Sequence, residues 1–591
     1  MQNNNSIEAV RHSLAHLLAY SVKQLFPGSE NAIGPAVENG FYQDFEIKGA
    51  ISEDDLSAIE KKMKEVLKTW RGFERQEVDE AEALKIFSDN KYKQELIKEF
   101  AAGGKKITIY TSGEFVDLCK GGHVEDIKAI NPSAFRLTKV AGAYWRGDEK
   151  NVMLTRIYGV AFEEKGQLTE YLQMLEEAKK RDHRKLGKEL DLFVFSDLVG
   201  AGLPLFTDRG TILREELGKF TQELRERTGF RRVWTPVIAK TDLYKASGHW
   251  DKFGDELFLV KSQETSDEFV LRPMNCPHHV QLYASQPRSY RDLPLKFMEN
   301  AGDYRDEKTG ELHGLSRVRS FTQDDSHAFV AQEQIKSVAT ELVEASQEMY
   351  SVLGMSLKFR LSFRDEGEGY LGDLELWEKA QKQIEELAKE NGLHYYIEEG
   401  EAAFYGPKID FMATDAIGRQ WQVATVQLDF VQPDRFSLEY VAEDGSKQQP
   451  VMIHCALLGS IERFLSVYIE HVAGRFPVWL APEQLRVIQV KDSDELDSFT
   501  DEIMTIARER GVRVYIDRSN ESVGKKIRNA ELMKVPYVVV VGEKELETRE
   551  LTPRLRADIA VDGREESSYA FEGFVKSIAH EAKARVQRSS L

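Results

Sequence analysis

A change in the order of apolar runs constrains this chain more than any other feature. From about Pro482, strand-like and helix-like segments alternate regularly: LRVIQVK, a helical pattern near 494–510, VRVYI, a second near 523–534, then PYVVVVG. That alternation predicts a parallel α/β unit over 481–591, because parallel neighbours need a crossover helix between them. Between about 189 and 480 the order differs. Runs such as RRVWTPVIA, EFVLRPM, RQWQVATVQLDF and QPVMIHCALL fall in consecutive pairs, which predicts an antiparallel sheet with flanking helices. GxxxxGK[ST] does not occur and no strand-linked GxGxxG is expected, so a nucleotide here is expected to be held by other means.

Residues 1–163 form a third pattern. A helix is expected from Ser6 to Phe26, with Leu14, Leu18, Val22 and Leu25 on its buried face and Pro27 as its stop. Short strand-like and turn-rich pieces follow, including KITIYTSGEFVDLCKGGH. Residues 164–188 have the pattern of one continuous charged helix, ending in KKRDHRKLGK, which suits either a solvated helix end or a phosphate contact. With 591 residues the chain exceeds a single core, and an α+β multidomain protein is expected.

Net charge is −19, so the average surface repels polyanions and any nucleic acid must bind local patches. No apolar stretch approaches the roughly 20 residues of a membrane helix, and the N-terminus lacks signal-peptide features. A soluble, cytoplasmic chain is expected. The three cysteines, Cys119, Cys276 and Cys455, are odd in number and far apart, which argues for thiol or metal chemistry over disulfides.

The densest chemistry is YRDEKTGELHGLSRVRSFTQDDSHAF, where Arg305, Arg317 and Arg319 crowd with Glu307, His313, Gln323, Asp324, Asp325 and His327. An arginine, an acid two residues on, a variable turn and a strand carrying R-x-R-x-F-x-Q-x-D resemble the second signature of class II aminoacyl-tRNA synthetases, closest to the threonyl family. GSIERF at Arg463 resembles the third signature. RRVWTPVI, centred on Pro236, resembles the first, which lies at a dimer interface in the family. The resemblance implies a class II antiparallel core, an N-terminal α+β editing domain (1–163), a linker helix (164–188), a catalytic domain (189–480) and a C-terminal α/β anticodon-binding domain (481–591). It further implies a homodimer acting on threonine, ATP with Mg2+, and tRNA(Thr).

Adenylate formation brings a carboxylate to an α-phosphate while charge builds on its equatorial oxygens, so fixed guanidinium groups stabilise the transition state. By the resemblance, Arg305 contacts the α-phosphate, Glu307 accepts from the adenine amino group, Phe321 stacks on the adenine ring, Arg317 approaches the triphosphate and Arg463 packs on ATP. Lys408 in AFYGPKID matches a phosphate contact, and Gln422 and Thr425 match nucleotide-side contacts. His249 in SGHWDKF matches a histidine that assists transfer to the tRNA terminal hydroxyl. Met274, Gln323, Asp325, Tyr405, Gln427 and Ser460 match threonine-pocket positions, and Val423 stands where the family often has cysteine.

Cys276 in LRPMNCPHH, His327 in DDSHAF and His454 in VMIHCALLGS are separated by 51 and 127 positions, a spacing that announces no metal site. Singly, each has the character of a packed core residue. All three fall on the family's zinc positions, and the resemblance implies one catalytic Zn2+ with an open fourth position. Zinc taking both the amino and hydroxyl groups of threonine excludes valine. Serine, short of one methyl, is disfavoured by only about 1–3 kcal/mol, so a proofreading site is expected.

His12 and His16 are four apart on the predicted first helix and share a face, and Cys119 and His123 repeat that spacing in DLCKGGH. HxxxH with CxxxH suggests a zinc tetrad and a metallohydrolase. It also resembles the editing domain shared by threonyl- and alanyl-tRNA synthetases, which in threonyl enzymes generally acts without metal. That resemblance places His12, His16, Cys119 and His123 around the scissile ester of seryl-tRNA, with Lys93 and Asp117 as further functional positions. CKGGH departs from the family's usual proline before the histidine. In the C-terminal domain Asn520, Lys534, Glu545 and Arg554 fall where anticodon contacts are expected. The sequence starts almost directly at the editing helix, so the family's usual ubiquitin-like domain is expected to be absent. Two rival readings are a stand-alone aminoacyl-tRNA hydrolase, which leaves the arginine motifs unexplained, and a noncatalytic tRNA-binding relative, which requires lost ligands or arginines.

Overall fold

The first helix runs Ile7–Leu25, with the Ser6 side chain accepting from the Ala9 amide at 3.3 Å as its N-cap. It belongs to the first of two units, Met1–Glu177 and Ala178–Leu591. The computed structural model describes residues 6–148, 150–367, 369–561 and 567–591. Leu14, Leu18 and Val22 are fully buried against Phe41, Phe45, Ile59 and Met63. Leu25 is not: it is 40% exposed, so the buried stripe ends one turn earlier than its periodicity suggests.

In this unit a sheet of Glu30–Asn31, Gly40–Glu46, Met153–Ala161 and Phe135–Tyr144 backs the helix, and Ala36–Val37 pairs beside it. A smaller sheet joins Glu74–Val78, Ile107–Ser112 and Phe115–Leu118. Its last two strands form a hairpin with Gly113 at φ +58°, and the register sets Tyr110 opposite Asp117.

The linker is two helices, Lys165–Arg181 and His183–Glu189, and not the continuous one expected from its charge pattern. Asp182 leaves helical geometry (φ −47°, ψ 120°) and turns its carboxylate onto the Arg184 amide at 2.8 Å, so an N-cap interrupts the run. Within that basic run His183 is 1% exposed. Its Nδ1 lies 2.7 Å from Glu470, and its Nε2 accepts from the Leu315 amide at 3.1 Å.

The second unit is built on an eight-stranded sheet in the order Arg231–Arg232, Leu295–Tyr304, Ser320–Val330, Val451–Ser460, Gln420–Asp429, Lys408–Thr414, Ser356–Phe363, Tyr395–Glu399. The central pairings are antiparallel, and the two outermost strands pair parallel. RRVWTPVIA forms only the short strands Arg231–Arg232 and Ile238–Lys240. Pro236 between them offers no amide, and the Thr235 amide is drawn to Glu299 at 3.0 Å. Register aligns Phe297, His327, His454 and Gln427 across four strands, and Glu299, Asp325, Ala456 and Thr425 in the next row. Since strand side chains alternate, these rows share one face of the sheet. Helices Asp208–Arg227, Ile335–Leu353 and Ile461–His471 contribute Leu213, Leu217, Leu342, Val343 and Phe464 to the unit's main apolar core.

The C-terminal part places Leu485–Gln489 between parallel partners Val514–Asp517 and Tyr537–Val541, with helices Asp494–Glu509, Val523–Leu532 and Phe571–Ala584. A short antiparallel edge strand, Arg554–Leu555, completes this sheet and lies outside the α/β alternation. Among the described residues no helix is long and apolar enough to cross a membrane.

Candidate functional site

One face of the large sheet opens into a cavity of about 640 Å³. Arg305, Glu307, Arg317 and Phe321 line it from the second-signature hairpin, joined there by Gln323. Gln422 and Thr425 enter from strand Gln420–Asp429, and Ser460 and Arg463 from the junction of the intervening strand Val451–Ser460 with its following helix. The Arg305 guanidinium lies 4.7 Å from the Phe253 ring centre and 5.2 Å from that of Phe321, and it reaches Met274 Sδ at 3.0 Å. Arg317 Nε pairs with Glu307 at 2.7 Å. Ser460 caps its helix by accepting from the Arg463 amide at 3.2 Å, while the Thr425 hydroxyl is buried without a partner. Trp421 and Val423 also line the cavity.

A buried cluster occupies the adjoining rows of the same face. One donor atom each from Cys276, His327 and His454 lies within 4.8 Å of the others. The helix Cys276–Ala284 supplies the thiol and two adjacent strands supply the imidazoles. His454 Nε2 sits 2.8 Å from Asp429, and Nε2 of His327 is buried with no hydrogen-bond partner. Burial pushes the Cys276 thiol well above its usual value. Tyr405 stacks on His454 with ring centres 4.9 Å apart and donates to Gln427 Oε1 at 2.9 Å. Asp325 is 8% exposed, 3.6 Å from His327, and burial raises its pKa.

Two expected residues stand behind these groups and reach them through a neighbour. Lys408 is turned to Asp410 at 2.8 Å, and that carboxylate also takes Arg360 at 2.9 Å and Gln422 at 2.7 Å. His249 is fully buried beside Phe404 and Tyr405, its Nδ1 is 2.7 Å from Ser247 Oγ, and burial pushes its pKa down to about 3. Sequence reasoning missed Asp429, His279, Glu299, Arg272 and Asp303. Asp303 is 1% exposed, touches Arg272 at 3.1 Å, and is raised by burial to about 8. Strand register, which single-strand patterns do not carry, brings Asp429, Glu299 and Asp303 to the site, whereas His279 sits one helical turn after Cys276, a local spacing that could have found it.

In the first unit, His12, His16, Cys119 and His123 place one donor atom each within 4.8 Å of one another. Cys119 Sγ lies 3.4 Å from His12 Nε2 and 3.3 Å from His123 Nε2. Asp117 on the hairpin reaches His16 Nδ1 at 3.2 Å, Lys93 Nζ at 2.7 Å and the Asn31 amide at 3.1 Å. Burial lowers the pKa of all three imidazoles, that of His123 to about 2, and raises Cys119 to about 11. Gly121 and Gly122 adopt φ +104° and +91°. A proline, fixed near −65°, cannot take Gly122's conformation, so the turn before His123 differs from one built with proline.

In the C-terminal part, Lys534 and Arg554 line a cavity of about 510 Å³ together with Arg475 and Arg556, two residues the sequence reading did not single out. Asn520 is exposed, and Glu545 accepts from the Gly542 amide at 3.0 Å; neither lines this cavity.

Comparison with known proteins fits this arrangement. Residues 258–472 match the tRNA synthetase class II core domain (G, H, P, S and T), and residues 484–581 match an anticodon binding domain. These are the parts of a class II aminoacyl-tRNA synthetase. Residues 107–158 match the threonyl and alanyl tRNA synthetase second additional domain. A threonine–tRNA ligase of Gloeobacter violaceus is 48% identical over 564 residues, covering 93% of this chain and 89% of the relative. One from Thermotoga maritima is 42% identical over 589 residues, covering 99% and 90%. Among solved structures, the RNA binding domain of threonyl-tRNA synthetase from Cryptosporidium parvum has a TM-score of 0.64 at 34% identity, covering 69% of this chain and 99% of that one. The chain belongs to the threonyl-tRNA synthetase family.

Proposed function

We propose that the chain activates L-threonine with ATP to threonyl-adenylate, transfers it to the 3′ end of tRNA(Thr), and hydrolyses mischarged seryl-tRNA(Thr). One observation carries the conclusion: a single strand, Ser320–Val330, presents Phe321 and Gln323 to the arginine-lined cavity and His327 to the buried thiol–imidazole trio on the same face. Nucleotide and amino-acid handling are thereby adjacent.

In this mechanism ATP, with Mg2+, occupies the cavity. Phe321 stacks on the adenine ring, Arg463 packs on ATP and its γ-phosphate, Glu307 accepts from the adenine amino group, and Arg317 approaches the triphosphate. Gln422 and Thr425 make nucleotide-side contacts, and Lys408 makes a phosphate contact. Arg305, steadied by Met274 and the aromatic rings beside it, stabilises charge at the α-phosphate as the threonine carboxylate attacks and pyrophosphate leaves. Met274, Gln323, Asp325, Tyr405, Gln427 and Ser460 surround the amino acid, with the Asp325 carboxylate accepting from its ammonium or hydroxyl. His249 assists transfer to the terminal hydroxyl of the tRNA.

The donor set fits a zinc ion. Cys276, His327 and His454 would hold it: His454 has Nε2 committed to Asp429, leaving Nδ1, and Nε2 of His327 is buried without a partner. Zinc with an open position would supply a Lewis-acidic centre for the amino and hydroxyl groups of threonine, which valine cannot match.

In the first unit, burial keeps the imidazoles of His12, His16 and His123 neutral, and a neutral imidazole can take a proton from an attacking water. Lys93, paired with Asp117, stabilises the departing 3′ oxygen, and Cys119 borders the ester. We further assign 1–163 to editing, 164–188 to a linker, 189–480 to catalysis and 481–591 to anticodon binding. Asn520, Lys534, Glu545 and Arg554 are the anticodon candidates, and the Lys534–Arg554 cavity is the best supported of them. The exposure of Trp234, 81%, supports a homodimer joined around Pro236, and the cytoplasm is the compartment we assign it. A monomer mass by light scattering at micromolar concentration contradicts the dimer.

Amino-acid-dependent ATP/pyrophosphate exchange tests the whole reading. Exchange with threonine, weaker exchange with serine, none with valine, and loss on zinc removal are expected. No exchange from folded, zinc-replete protein rejects it.

A further inference from the structure

Cys276 opens its helix, and His279 follows three residues later on the same face. His279 is fully buried, and its Nδ1 lies 2.7 Å from Nδ1 of His327. At that distance one nitrogen carries a proton and the other accepts it. On its far side, His279 Nε2 meets the Asn275 amide nitrogen at 3.1 Å and Glu299 Oε2 at 3.4 Å. Asn275 is fixed in orientation because its Oδ1 accepts from Arg272 Nη1 at 2.9 Å. Glu299 is fixed in turn by the Thr235 amide at 3.0 Å and the Thr235 hydroxyl at 2.8 Å. These groups form an unbroken buried line from Glu299 through His279 to His327, whose other nitrogen makes no hydrogen bond and has Asp325 Oδ1 3.6 Å away.

We propose that His279, backed by Glu299, is a positioning residue that selects the tautomer of His327 in which Nε2 presents a lone pair to the metal. The proposal rests on the zinc reading above. Two protons shared between the two imidazoles have two arrangements. In the first, His327 carries Nε2–H, His279 Nδ1–H donates to His327 Nδ1, and His279 Nε2 accepts from Asn275. In the second, His327 Nδ1–H donates to His279 Nδ1, and the other proton sits on His279 Nε2 facing Glu299. The net change moves one proton from His327 Nε2 to His279 Nε2, and none is lost to solvent. The Asn275 amide, a donor 3.1 Å from His279 Nε2, fits the first arrangement, and the Glu299 carboxylate, which only accepts, fits the second, in which the metal-facing nitrogen is free.

Two substitutions separate this role from simple packing. His279→Asn keeps an oxygen acceptor at the Nδ1 position, whereas His279→Gln reaches the Nε2 position and leaves Nδ1 unreplaced. Zinc release from the full-length protein to a chromogenic chelator is the primary readout, and the ligand-field spectrum of cobalt-substituted protein is the second. His279→Gln is expected to release zinc about 10- to 100-fold faster with an altered cobalt spectrum, and His279→Asn to stay close to wild type. Equal retention by His279→Gln and wild type overturns the proposal, as does equal loss from both variants, which makes the effect one of shape. Should His279→Gln fail to fold, Glu299→Gln breaks the far end with His279 in place; faster release is expected, and unchanged release overturns the relay. Cys276→Ala is the control. If it holds zinc as wild type does, the zinc reading itself fails and the relay with it, an outcome distinguishable from failure at His279 alone.

Discussion

Both units gather cysteine and histidine donors within 4.8 Å of one another, yet they back those donors differently. In the second unit each imidazole is supported from behind by an acceptor: Asp429 behind His454, and His279 with Glu299 behind His327. Lone pairs are thereby left facing inward. In the first unit Asp117 stands 3.2 Å behind His16, but the other donors engage each other, with the Cys119 sulfur between His12 and His123 at 3.4 and 3.3 Å. The carboxylate there, Asp117, has its charge matched by Lys93 at 2.7 Å. The same residue types thus suit holding a cation where acceptors stand behind them, and handling a proton where they bond to one another. On our reading this separates the activating site from the editing site.

The largest test of that contrast is Cys276→Ala. It is expected to abolish bound zinc and to reduce threonine-dependent pyrophosphate exchange by about 10³-fold or more, with seryl-tRNA hydrolysis unchanged. Retention of both zinc and exchange would falsify the assignment of the second-unit cluster. Next is the double change His12→Ala with His16→Ala, expected to slow seryl-tRNA hydrolysis by about 10²- to 10⁴-fold while leaving threonine charging intact. Unchanged deacylation removes this face from the editing mechanism. Finding stoichiometric zinc lost from that variant, and not from Cys276→Ala, inverts the comparison.

A smaller effect is expected at Asp429. The Oδ1 atom accepts from the Val431 and Gln432 amides at 2.8 and 2.9 Å, so Asp429→Asn must turn its amide nitrogen toward His454 Nε2. A donor then faces the nitrogen that should donate, and the wrong tautomer is favoured. Zinc affinity should fall about 10- to 100-fold, measured by chelator competition. Unchanged affinity detaches Asp429 from the site. Lys93→Met in the first unit should cost stability and leave zinc content alone, because it strands Asp117 without its cation.

How far these sites were legible in the sequence depended on how each is assembled. The first cluster is two i, i+4 pairs, and local spacing alone brought out a helix face and a turn. In the second, Cys276, His327 and His454 are scattered, and only their match to family motifs singled them out. Of their supporting residues, His279 is one helical turn from Cys276, but the two carboxylates were invisible because each depends on register. Glu299 reaches the site because it lies opposite Asp325, and Asp429 because its strand pairs with that of His454. The α/β alternation after Pro482 was legible, since it follows from segment order, but the edge strand Arg554–Leu555 is too short to leave a pattern. The linker break at Asp182 was hidden for a related reason. A charged run does not reveal which aspartate will fold back as an N-cap.

The smallest expected effect concerns acid stability and sharpens the proton-handling side of the comparison. Burial depresses the pKa of His12, His16 and His123, the last to about 2, whereas an unfolded histidine titrates near 6.5. Above about pH 6.5 the imidazoles are neutral in both states and contribute nothing to pH dependence. Below it the unfolded chain binds protons that the folded unit refuses, so stability falls as pH falls, by about 1.4 kcal/mol per pH unit for each such imidazole. Hydrogen exchange of the helix Ile7–Leu25 in the full-length protein reads this local stability. Replacing His123 by Asn should reduce the slope by about one proton between pH 6.5 and the pH at which the unit unfolds. An unchanged slope means that His123 takes up its proton in the folded state, and that the first cluster is wet enough to hold charge instead of being kept neutral for hydrolysis.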